Sequence, residues 1–204
     1  DNTSYKRKSM PLTPHVVLFA RYPQYGRGKT RLAAGARASV ALRFQRTMLS
    51  HLLYRLGRDA RWRTVVAITP NNIGRWPDYI EIVPQGQGDL GVRLLRASRR
   101  LPPSPAIIIG TDCPAIRSTH IVQGFSALKS HDAVIGPAAD GGYWLIGLRQ
   151  PHLINPFTSV RWSSAHTLSD TMDNLKGRRV AFLEQLDDID EIHQLNRTPH
   201  WARL

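Results

Sequence analysis

Three groups of carboxylates in this chain stand where a divalent metal ion could be bound. Asp112 follows the apolar run Ala106–Ile109, Asp140 opens a turn that contains two glycines, and residues 187–190 include three aspartates. Carboxylate oxygens are the hard ligands that Mg²⁺ requires, and phosphates and waters complete its shell in nucleotide sites. The pattern therefore predicts Mg²⁺, or Mn²⁺, at Asp112. The alternatives are a helix-cap or turn role for Asp112 and a solvated acidic turn at residues 187–190.

A basic loop follows the apolar run at residues 16–20 and leads into a helical pattern. Its Gly28-Lys29-Thr30 matches the end of a P-loop, but Pro23 stands where the first glycine belongs. Proline lacks the N–H and the free φ angle that a phosphate cradle needs. Lys29 and Arg31 still stand at a helix N-terminus, where unpaired N–H groups and the helix dipole favour anions. Cations at this position oppose the helix dipole. A bound phosphate therefore explains the presence of Lys29 and Arg31 there better than simple exposure to solvent does.

A glycine motif, Gly86-Gln87-Gly88-Asp89-Leu90-Gly91, has the spacing of the dinucleotide fingerprint Gly-x-Gly-x-x-Gly. The segment before it, residues 79–83, alternates like an edge strand, whereas the fingerprint belongs to the first strand–helix turn of its unit. We therefore expect these glycines to let the backbone approach a base or a sugar, and we do not expect NAD binding.

The elements that must position these residues follow an alternating order. Short apolar or alternating runs predict strands at residues 16–20, 64–68, 79–83, 106–109, 133–136 and 143–148. Helical spacing of apolar residues predicts helices within residues 29–56, 90–100 and 118–130. Alternation of this kind predicts a three-layer α/β/α sandwich with a mostly parallel sheet, whose ligand lies beyond the carboxyl ends of the strands.

Length and composition suit one domain. The chain has 204 residues, 42% of them hydrophobic, and we expect a flexible tail at residues 1–14 followed by a single domain at residues 15–204. The single cysteine, Cys113, cannot form an intramolecular disulfide, so the cytoplasm is the default location, and a buried filler is the expected role of this thiol. No apolar run approaches the roughly 18 residues of a membrane span, and no histidines have the spacing of zinc ligands.

The charge balance is strongly basic. Lys plus Arg number 28 against 15 Asp plus Glu, a formal charge of +13, which attracts phosphates, nucleic acids or anionic surfaces alike. Arg61-Trp62-Arg63 and Arg75-Trp76 raise the alternative of a nucleic-acid-binding module. The arginines are dispersed rather than grouped in a recognised motif, so this alternative is the weaker one.

Five motifs in sequence order resemble those of one protein family. They are Lys29-Thr30-Arg31-Leu32-Ala33, Gln85-Gly86-Gln87-Gly88-Asp89-Leu90-Gly91-Val92-Arg93, Gly110-Thr111-Asp112-Cys113-Pro114, Asp140-Gly141-Gly142-Tyr143 and Trp162-Ser163-Ser164. The family consists of bacterial glycosyltransferase-A-like proteins, classed as a domain of unknown function and described as nucleotide-diphospho-sugar transferases. The resemblance covers residues 16–195. Its wider relatives include molybdenum-cofactor and phospholactate nucleotidyltransferases, so it indicates the fold more closely than the reaction.

The resemblance implies a nucleotide-diphospho-sugar transferase (Rossmann-like) fold and a Mg²⁺-dependent reaction. A glycosyl or nucleotidyl group would pass from a nucleotide donor to a small acceptor; a non-catalytic nucleotide-binding protein is an alternative, and the oligomeric state stays open. The metal would be bound by Asp112 and Asp190. Because residues 191–193 depart from the relatives' Thr-Pro-Glu, Asp188 is a rival for the second ligand position.

A transfer of this kind also predicts roles for residues around the donor and the acceptor, and the resemblance itself covers the basic pair Lys29 and Arg31. The residues expected to contact the donor are Lys29, Arg31, Gly86, Gly88, Asp89, Gly91 and Arg93, of which Lys29 is also expected to be catalytic. Asp140 would orient or deprotonate an acceptor hydroxyl, although a structural turn acid is an equal alternative. Tyr143 and Trp162 would form a wall for the acceptor, although aromatic side chains more often belong to the core.

Overall fold

The structure is a computed structural model that describes residues 12–27, 38–71 and 74–189. Its strands are β1 (His15–Arg21), β2 (Arg63–Thr69), β3 (Glu81–Pro84), β4 (Ala106–Ile109), β5 (Ala133–Pro137), β6 (Tyr143–Leu148) and β7 (Val180–Phe182). Its helices are α1 (Ala38–Leu56), α2 (Leu90–Arg99), α3 (Ser118–Ala127) and α4 (Thr167–Asn174).

The strands form one seven-stranded sheet in the order β3-β2-β1-β4-β6-β5-β7. Strands β3, β2, β1 and β4 are mutually parallel, and β7 is parallel to β5. Among these strands, only β6 is antiparallel to both of its neighbours, β4 and β5. The predicted mostly parallel sheet is confirmed, as is the edge position of the alternating third strand. The short strand β7 was not predicted.

Helices cover both faces of the sheet, because successive strand residues point to opposite sides. On one face α1 and α3 contribute Leu52 and Ile121 to a core that contains Leu18, Val66 and Ile107. On the other face α2 and α4 pack Leu94 and Met172 against Val17, Val65 and Ile108. The predicted three-layer α/β/α sandwich is therefore confirmed.

The helix bounds differ modestly from the predicted ones. The first predicted helix, residues 29–56, coincides with α1 from Ala38 onward, and its beginning lies outside the described residues. Helix α2 ends one residue earlier than predicted, at Arg99, and α3 ends at Ala127, followed by turns to residue 130. Helix α4 was not predicted. Along the described ranges, no helix has both the length and the apolar character needed to cross a bilayer.

The nucleic-acid alternative requires Trp62 at the surface, but the structure places its side chain in the core. Only 4% of the residue is exposed, and its indole Nε1 donates to the main-chain oxygen of Leu56 at 3.0 Å. Trp76 is partly buried and packs edge-on against Tyr22, with ring centroids 6.0 Å apart. A buried indole cannot stack on a base, so the observation that raised the nucleic-acid alternative loses its force.

Candidate active site

The sheet topology gathers the predicted site residues at one edge. Because β1 to β4 are parallel, their carboxyl ends meet at the same edge of the sheet, and the Gly86 and Asp112 loops follow two of those ends. Strand β6 is antiparallel, so its first residue, Tyr143, lies at this edge too. The turn that begins at Asp140 precedes it. Ligands of open α/β sheets bind beyond the carboxyl ends of the strands, and this edge is therefore the candidate site.

Two aspartates, Asp112 and Asp188, called the acidic pair below, lie on segments that meet where the chain after β7 returns to the loop after β4. Leu183 N and Leu186 N donate to the main-chain oxygens of Ile135 and Pro137 at 2.8 and 3.1 Å, which extends the chain along β5. Ile189 N then donates to the main-chain oxygen of Asp112 at 3.0 Å. This hydrogen bond places Asp188, the residue before Ile189, beside the Asp112 loop.

The thiol of Cys113 provides a second sign that this region is acidic. The residue is 1% exposed. Burial, followed by the nearby charge of Asp188, raises the pKa of Cys113 to about 12. A thiol with such a pKa stays protonated at neutral pH and is a poor nucleophile. The expectation of a buried filler is confirmed.

The segment that carries Asp188 is held by a histidine of α3 and a tryptophan of β6. The buried His120 accepts from Arg117 N through Nδ1 at 3.1 Å, which leaves Nε2 to donate to Glu184 Oε1 at 2.7 Å. The indole Nε1 of Trp144 donates to the main-chain oxygen of Glu184 at 3.2 Å. These contacts fix the path of the chain just before the acidic pair.

The glycine motif forms a tight loop between β3 and α2. Gly86 and Gly88 have φ angles of +74° and +111°, which glycine adopts without the penalty of a side chain. Asp89 is the N-cap of α2, and its carboxylate accepts from Val92 N at 2.8 Å. The guanidinium of Arg96 donates to the main-chain oxygens of Gln85 and Gln87. The N-cap of α2 and the Arg96 guanidinium therefore fix the path of this loop, whose own charged residue is Asp89.

Gln85 connects this loop to the ends of two strands, and sequence reasoning missed it. The residue is 1% exposed. Its Nε2 donates to the main-chain oxygens of Ala20 and Ala67 at 2.9 and 2.8 Å, and its Oε1 accepts from Arg93 Nη1 at 2.9 Å. The sequence signal for this role is the position of Gln85, a polar residue between a strand and a glycine motif.

Arg93 lies partly buried beside the pocket described below. Burial, and then the charge of Arg21, lowers the pKa of Arg93. Its guanidinium carbon lies 5.9 Å from the ring centroid of Phe19. Within the described residues its buried Nε has no hydrogen-bond partner. The side chain is thus held at one end by Gln85, and its Nε is enclosed by the protein.

An open pocket of about 200 Å³ lies at the same edge of the sheet. Its apolar wall comes from β1, β4, β6 and α2 and includes Phe19, Leu94, Ile108 and Ile146. Its remaining wall includes four predicted site residues, Asp140, Tyr143, Trp162 and Asp188. The pocket therefore brings together the predicted acceptor residues and one member of the acidic pair.

Residues 161–167 form one side of this pocket and are firmly anchored. The guanidinium of Arg161 forms a two-pronged ion pair with Asp170 at 2.9 and 2.7 Å, which lowers the pKa of Asp170 to about 2. Thr167 Oγ1 lies 2.9 Å from the main-chain oxygens of Arg161 and Ser164. Ser163, which lines the pocket, has a φ of +55°. Left-handed backbone is costly outside glycine and persists where the surroundings enforce it.

Two predicted residues have packing roles in this region. A Cβ added to Gly91 would meet the main-chain oxygen of Phe157 at 2.6 Å and the Trp162 indole at 3.3 Å, so close approach of residues 157–162 explains the glycine. The Tyr143 hydroxyl lies 3.5 Å from Thr171 Oγ1, and burial raises its pKa. Donor binding by Gly91 and acceptor binding by Tyr143 stay predictions.

Three further predictions fall on residues that the structure does not describe. Lys29 and Arg31, the expected phosphate contacts, and Asp190, the expected second metal ligand, lie outside the described ranges. Within those ranges, Asp112 and Asp188 come together, whereas the glycine motif and Arg93 flank the pocket from the side of β3 and α2.

The fold defined here is that of nucleotide-diphospho-sugar transferases and cytidylyltransferases. Residues 52–164 match a family described as an uncharacterized protein conserved in bacteria (DUF2064). The match spans more than half of the chain, so the protein belongs to this family. A comparison with curated proteins finds no match.

Solved structures share this architecture. A protein from Desulfovibrio desulfuricans G20, proposed to be a nucleotide-diphospho-sugar transferase, is 25% identical with a TM-score of 0.79, over 87% of this chain and 82% of that one. The 4-diphosphocytidyl-2C-methyl-D-erythritol synthase of Anaerococcus prevotii DSM 20548 is 11% identical with a TM-score of 0.60, over 89% and 92%. The 2-C-methyl-D-erythritol 4-phosphate cytidylyltransferase of Thermus thermophilus is 14% identical with a TM-score of 0.57, over 96% and 100%. At such low identity, the two cytidylyltransferase structures indicate a shared fold.

Proposed function

We propose that this protein is a metal-dependent transferase that moves a glycosyl or a nucleotidyl group from a nucleotide donor to a small acceptor. The observation that carries the proposal is the acidic pair, Asp112 and Asp188, which the Ile189 N to Asp112 O hydrogen bond of 3.0 Å brings to the carboxyl edge of the sheet. A pocket for a small molecule opens beside it. Similarity to the Desulfovibrio protein supports the same class of reaction.

The acidic pair fits a magnesium ion by the chemistry of its donors. Mg²⁺ is commonly bound by one or two protein carboxylates, with phosphates and waters in the other positions. Asp112 and Asp188 supply two carboxylates, and the described residues contain no cluster of three or more potential metal ligands. When bound, Mg²⁺ would offset the negative charge that develops on the phosphates of the leaving group.

The remaining donor contacts would come from the basic side of the site. Gly86 and Gly88 would contact the base or the ribose through their main chain, and where their Cβ atoms would lie stand the side chains of Arg96 and Val92. Arg93, held by Gln85, would add positive charge beside the glycine motif. Lys29 and Arg31 would add positive charge from the loop after β1.

Asp140 is the residue best placed to act on the acceptor. Its Oδ1 accepts from Gly142 N at 2.9 Å, which orients the carboxylate at the pocket wall. In the transfer, the acceptor hydroxyl oxygen would form the new bond to the anomeric carbon or the α-phosphorus of the donor. The nucleoside diphosphate or the pyrophosphate would leave with the bonding electrons, and Asp140 would accept the hydroxyl proton before releasing it to water.

The test is a panel of nucleotides and nucleotide sugars in a thermal-shift assay, with and without Mg²⁺. A ligand that binds the folded state raises Tm according to its affinity. We expect at least one nucleotide to raise Tm only with Mg²⁺, and Asp112→Asn to remove this shift. Asp78→Asn, which deletes an exposed acid before β3 at the opposite edge of the sheet, should retain it. Nucleotide shifts that are unaffected by Mg²⁺ and by Asp112→Asn would contradict the proposal.

A further inference from the structure

The pocket has an acidic wall in a strongly basic protein. The chain carries 28 Lys plus Arg against 15 Asp plus Glu. Among the described residues, however, the charged side chains that line the pocket are both acids, Asp140 and Asp188. A wall of one charge sign repels ligands of the same sign. The pocket therefore disfavours an anionic occupant.

Three arginines around the pocket have partners elsewhere. Arg93 donates to Gln85, and Arg96 donates to two main-chain oxygens of the loop that contains Gly86 and Gly88. Arg161 is paired with Asp170. Arg93 and Arg96 therefore place positive charge on the glycine-loop side, where a donor phosphate would lie, and Arg161 is neutralised by its ion pair. The acceptor side has no cation among its described lining residues.

Of the two acids in this wall, Asp140 is the one whose charge would act on the acceptor. Asp188 belongs to the pair assigned to the metal under the proposed function, so its charge would be offset there. Asp140 uses Oδ1 to accept from Gly142 N. Within the described residues, its Oδ2 and the hydroxyl of Ser163 have no hydrogen bond. A carboxylate oxygen only accepts, and a serine hydroxyl both donates and accepts, so together they complement the hydroxyl groups of a ligand.

The rest of the pocket suits a molecule with an apolar face. Trp162 lines the pocket together with aliphatic side chains of β4 and α2, and the indole is held against Phe157 with ring centroids 6.3 Å apart. Aromatic side chains offer a broad apolar surface to a ligand, and a few placed polar groups set its orientation. A volume of about 200 Å³ restricts the occupant to a small molecule.

We infer that the acceptor is an uncharged, polyhydroxylated small molecule of the size of a single sugar ring or a short polyol. Its hydroxyls bind Asp140 and Ser163, and its apolar face lies against Trp162. The charge of Asp140 disfavours phosphorylated and carboxylated acceptors. The inference rests on the proposed transferase function, because it names the acceptor of that reaction.

The experiment compares matched acceptors that differ only in charge, namely hexoses and polyols beside their phosphates and uronic or aldonic acids. Transfer is measured as kcat/KM with the full chain, Mg²⁺ and the nucleotide donors found by thermal shift. We expect the uncharged member of a pair to be preferred at least about tenfold. In Asp140→Asn, which retains an oxygen acceptor for Gly142 N, transfer to uncharged acceptors should fall and the preference should narrow. Asp78→Asn, the matched loss of a distant charge, should leave the preference unchanged.

The outcomes separate this inference from the function on which it rests. Faster transfer to phosphorylated or carboxylated acceptors, or a preference that Asp140→Asn does not change, would overturn the inference while the transferase function stands. Saturation-transfer NMR of the same acceptors without donor measures the pocket alone. Binding of uncharged polyols that is lost in Asp140→Asn and weakened in Ser163→Ala supports the inference even if no donor is consumed, and in that case the proposed function is the part that fails.

Discussion

The side-chain oxygen of Gln85 accepts a hydrogen bond of 2.9 Å from Nη1 of Arg93. The amide nitrogen of Gln85 is already committed to the main-chain oxygens of Ala20 and Ala67, at the ends of β1 and β2. A primary amide has two donor positions and one acceptor oxygen, so its orientation is set by the strands and in turn orients the arginine. The position of the Arg93 guanidinium on α2 therefore depends on how two strands end.

Replacing Gln85 with leucine should destabilise the fold. Leucine has a similar volume but leaves two main-chain oxygens and Arg93 without their partner in a site that is 1% exposed. We expect Gln85→Leu to lower the free energy of unfolding by about 2–4 kcal/mol, measured by urea denaturation. Gln87→Leu, at an exposed position of the same loop, should change it by less than about 0.5 kcal/mol. Equal midpoints for the two variants would show that the Gln85 contacts contribute little.

Neutralising Asp188 should weaken metal-dependent nucleotide binding, whereas neutralising its neighbour Asp187 should not. Asp188 lines the pocket beside the Asp112 loop, and Asp187 is exposed. In calorimetric titrations with Mg²⁺, we expect Asp188→Asn to reduce affinity at least about tenfold, as loss of a metal-site carboxylate does. If Asp190→Asn alone abolishes the Mg²⁺ dependence, the second ligand is Asp190 and this prediction is wrong.

Adding a methyl group at Gly91 should disturb the wall formed by Trp162. The new Cβ would lie 2.6 Å from the main-chain oxygen of Phe157, and backbone cannot yield as a flexible side chain does. We expect Gly91→Ala to lower the free energy of unfolding by about 1–3 kcal/mol. Gly110→Ala is the matched control, because a Cβ there meets nothing within 4 Å. Thermal unfolding of both variants distinguishes them, and an unshifted Tm for Gly91→Ala would contradict the packing role.

Stability should fall as the pH drops through the range of ordinary histidine titration. Burial, followed by the charge of Arg63, lowers the pKa of His15 below its ordinary value of 6.5. At pH values below about 6.5 the unfolded chain binds a proton that the folded chain does not, so the unfolded state gains stability. We expect Tm to decrease between pH 7.5 and about 5.5, and to decrease less in His15→Gln. A similar replacement of the exposed His166 should leave the slope unchanged; an unchanged slope in His15→Gln would exclude His15 as its source.

Breaking the ion pair between Arg161 and Asp170 should loosen residues 161–167. The Arg161 side chain lowers the pKa of Asp170 to about 2, so this contact is present at neutral pH and is lost only as the pH falls from the ordinary value of about 3.8 toward that pKa. We expect Asp170→Asn to accelerate amide hydrogen exchange in residues 161–167 and to raise KM for the acceptor without weakening donor binding. Asp173→Asn, on the same helix, is the control. Unchanged exchange in Asp170→Asn would mean that the threonine contacts hold the segment unaided.

Most of the fold was predictable from local patterns, because each pattern reports how its own segment is buried. Continuous apolar runs marked the covered strands β1, β2 and β4, and alternation marked the edge strand β3. Strand β7 and helix α4 were missed. Three residues with half-exposed side chains, Val180–Phe182, show no usable periodicity, and β7 forms because its backbone pairs with β5. The antiparallel direction of β6 likewise depends on its partners.

The sequence by itself determined which residues could do chemistry, and tertiary structure determined which of them meet. Asp112, Asp140 and Trp162 were recognisable from residue type and motif, and the sheet topology brings their loops to one edge. Only the structure shows that Asp188 lies beside the Asp112 loop and that Gln85 joins two strand ends. Both facts come from hydrogen bonds between segments that are far apart in the chain. The physical reason is that propensity and periodicity act over neighbouring residues, whereas a binding site is made by backbone and side-chain contacts that exist only after the strands have paired.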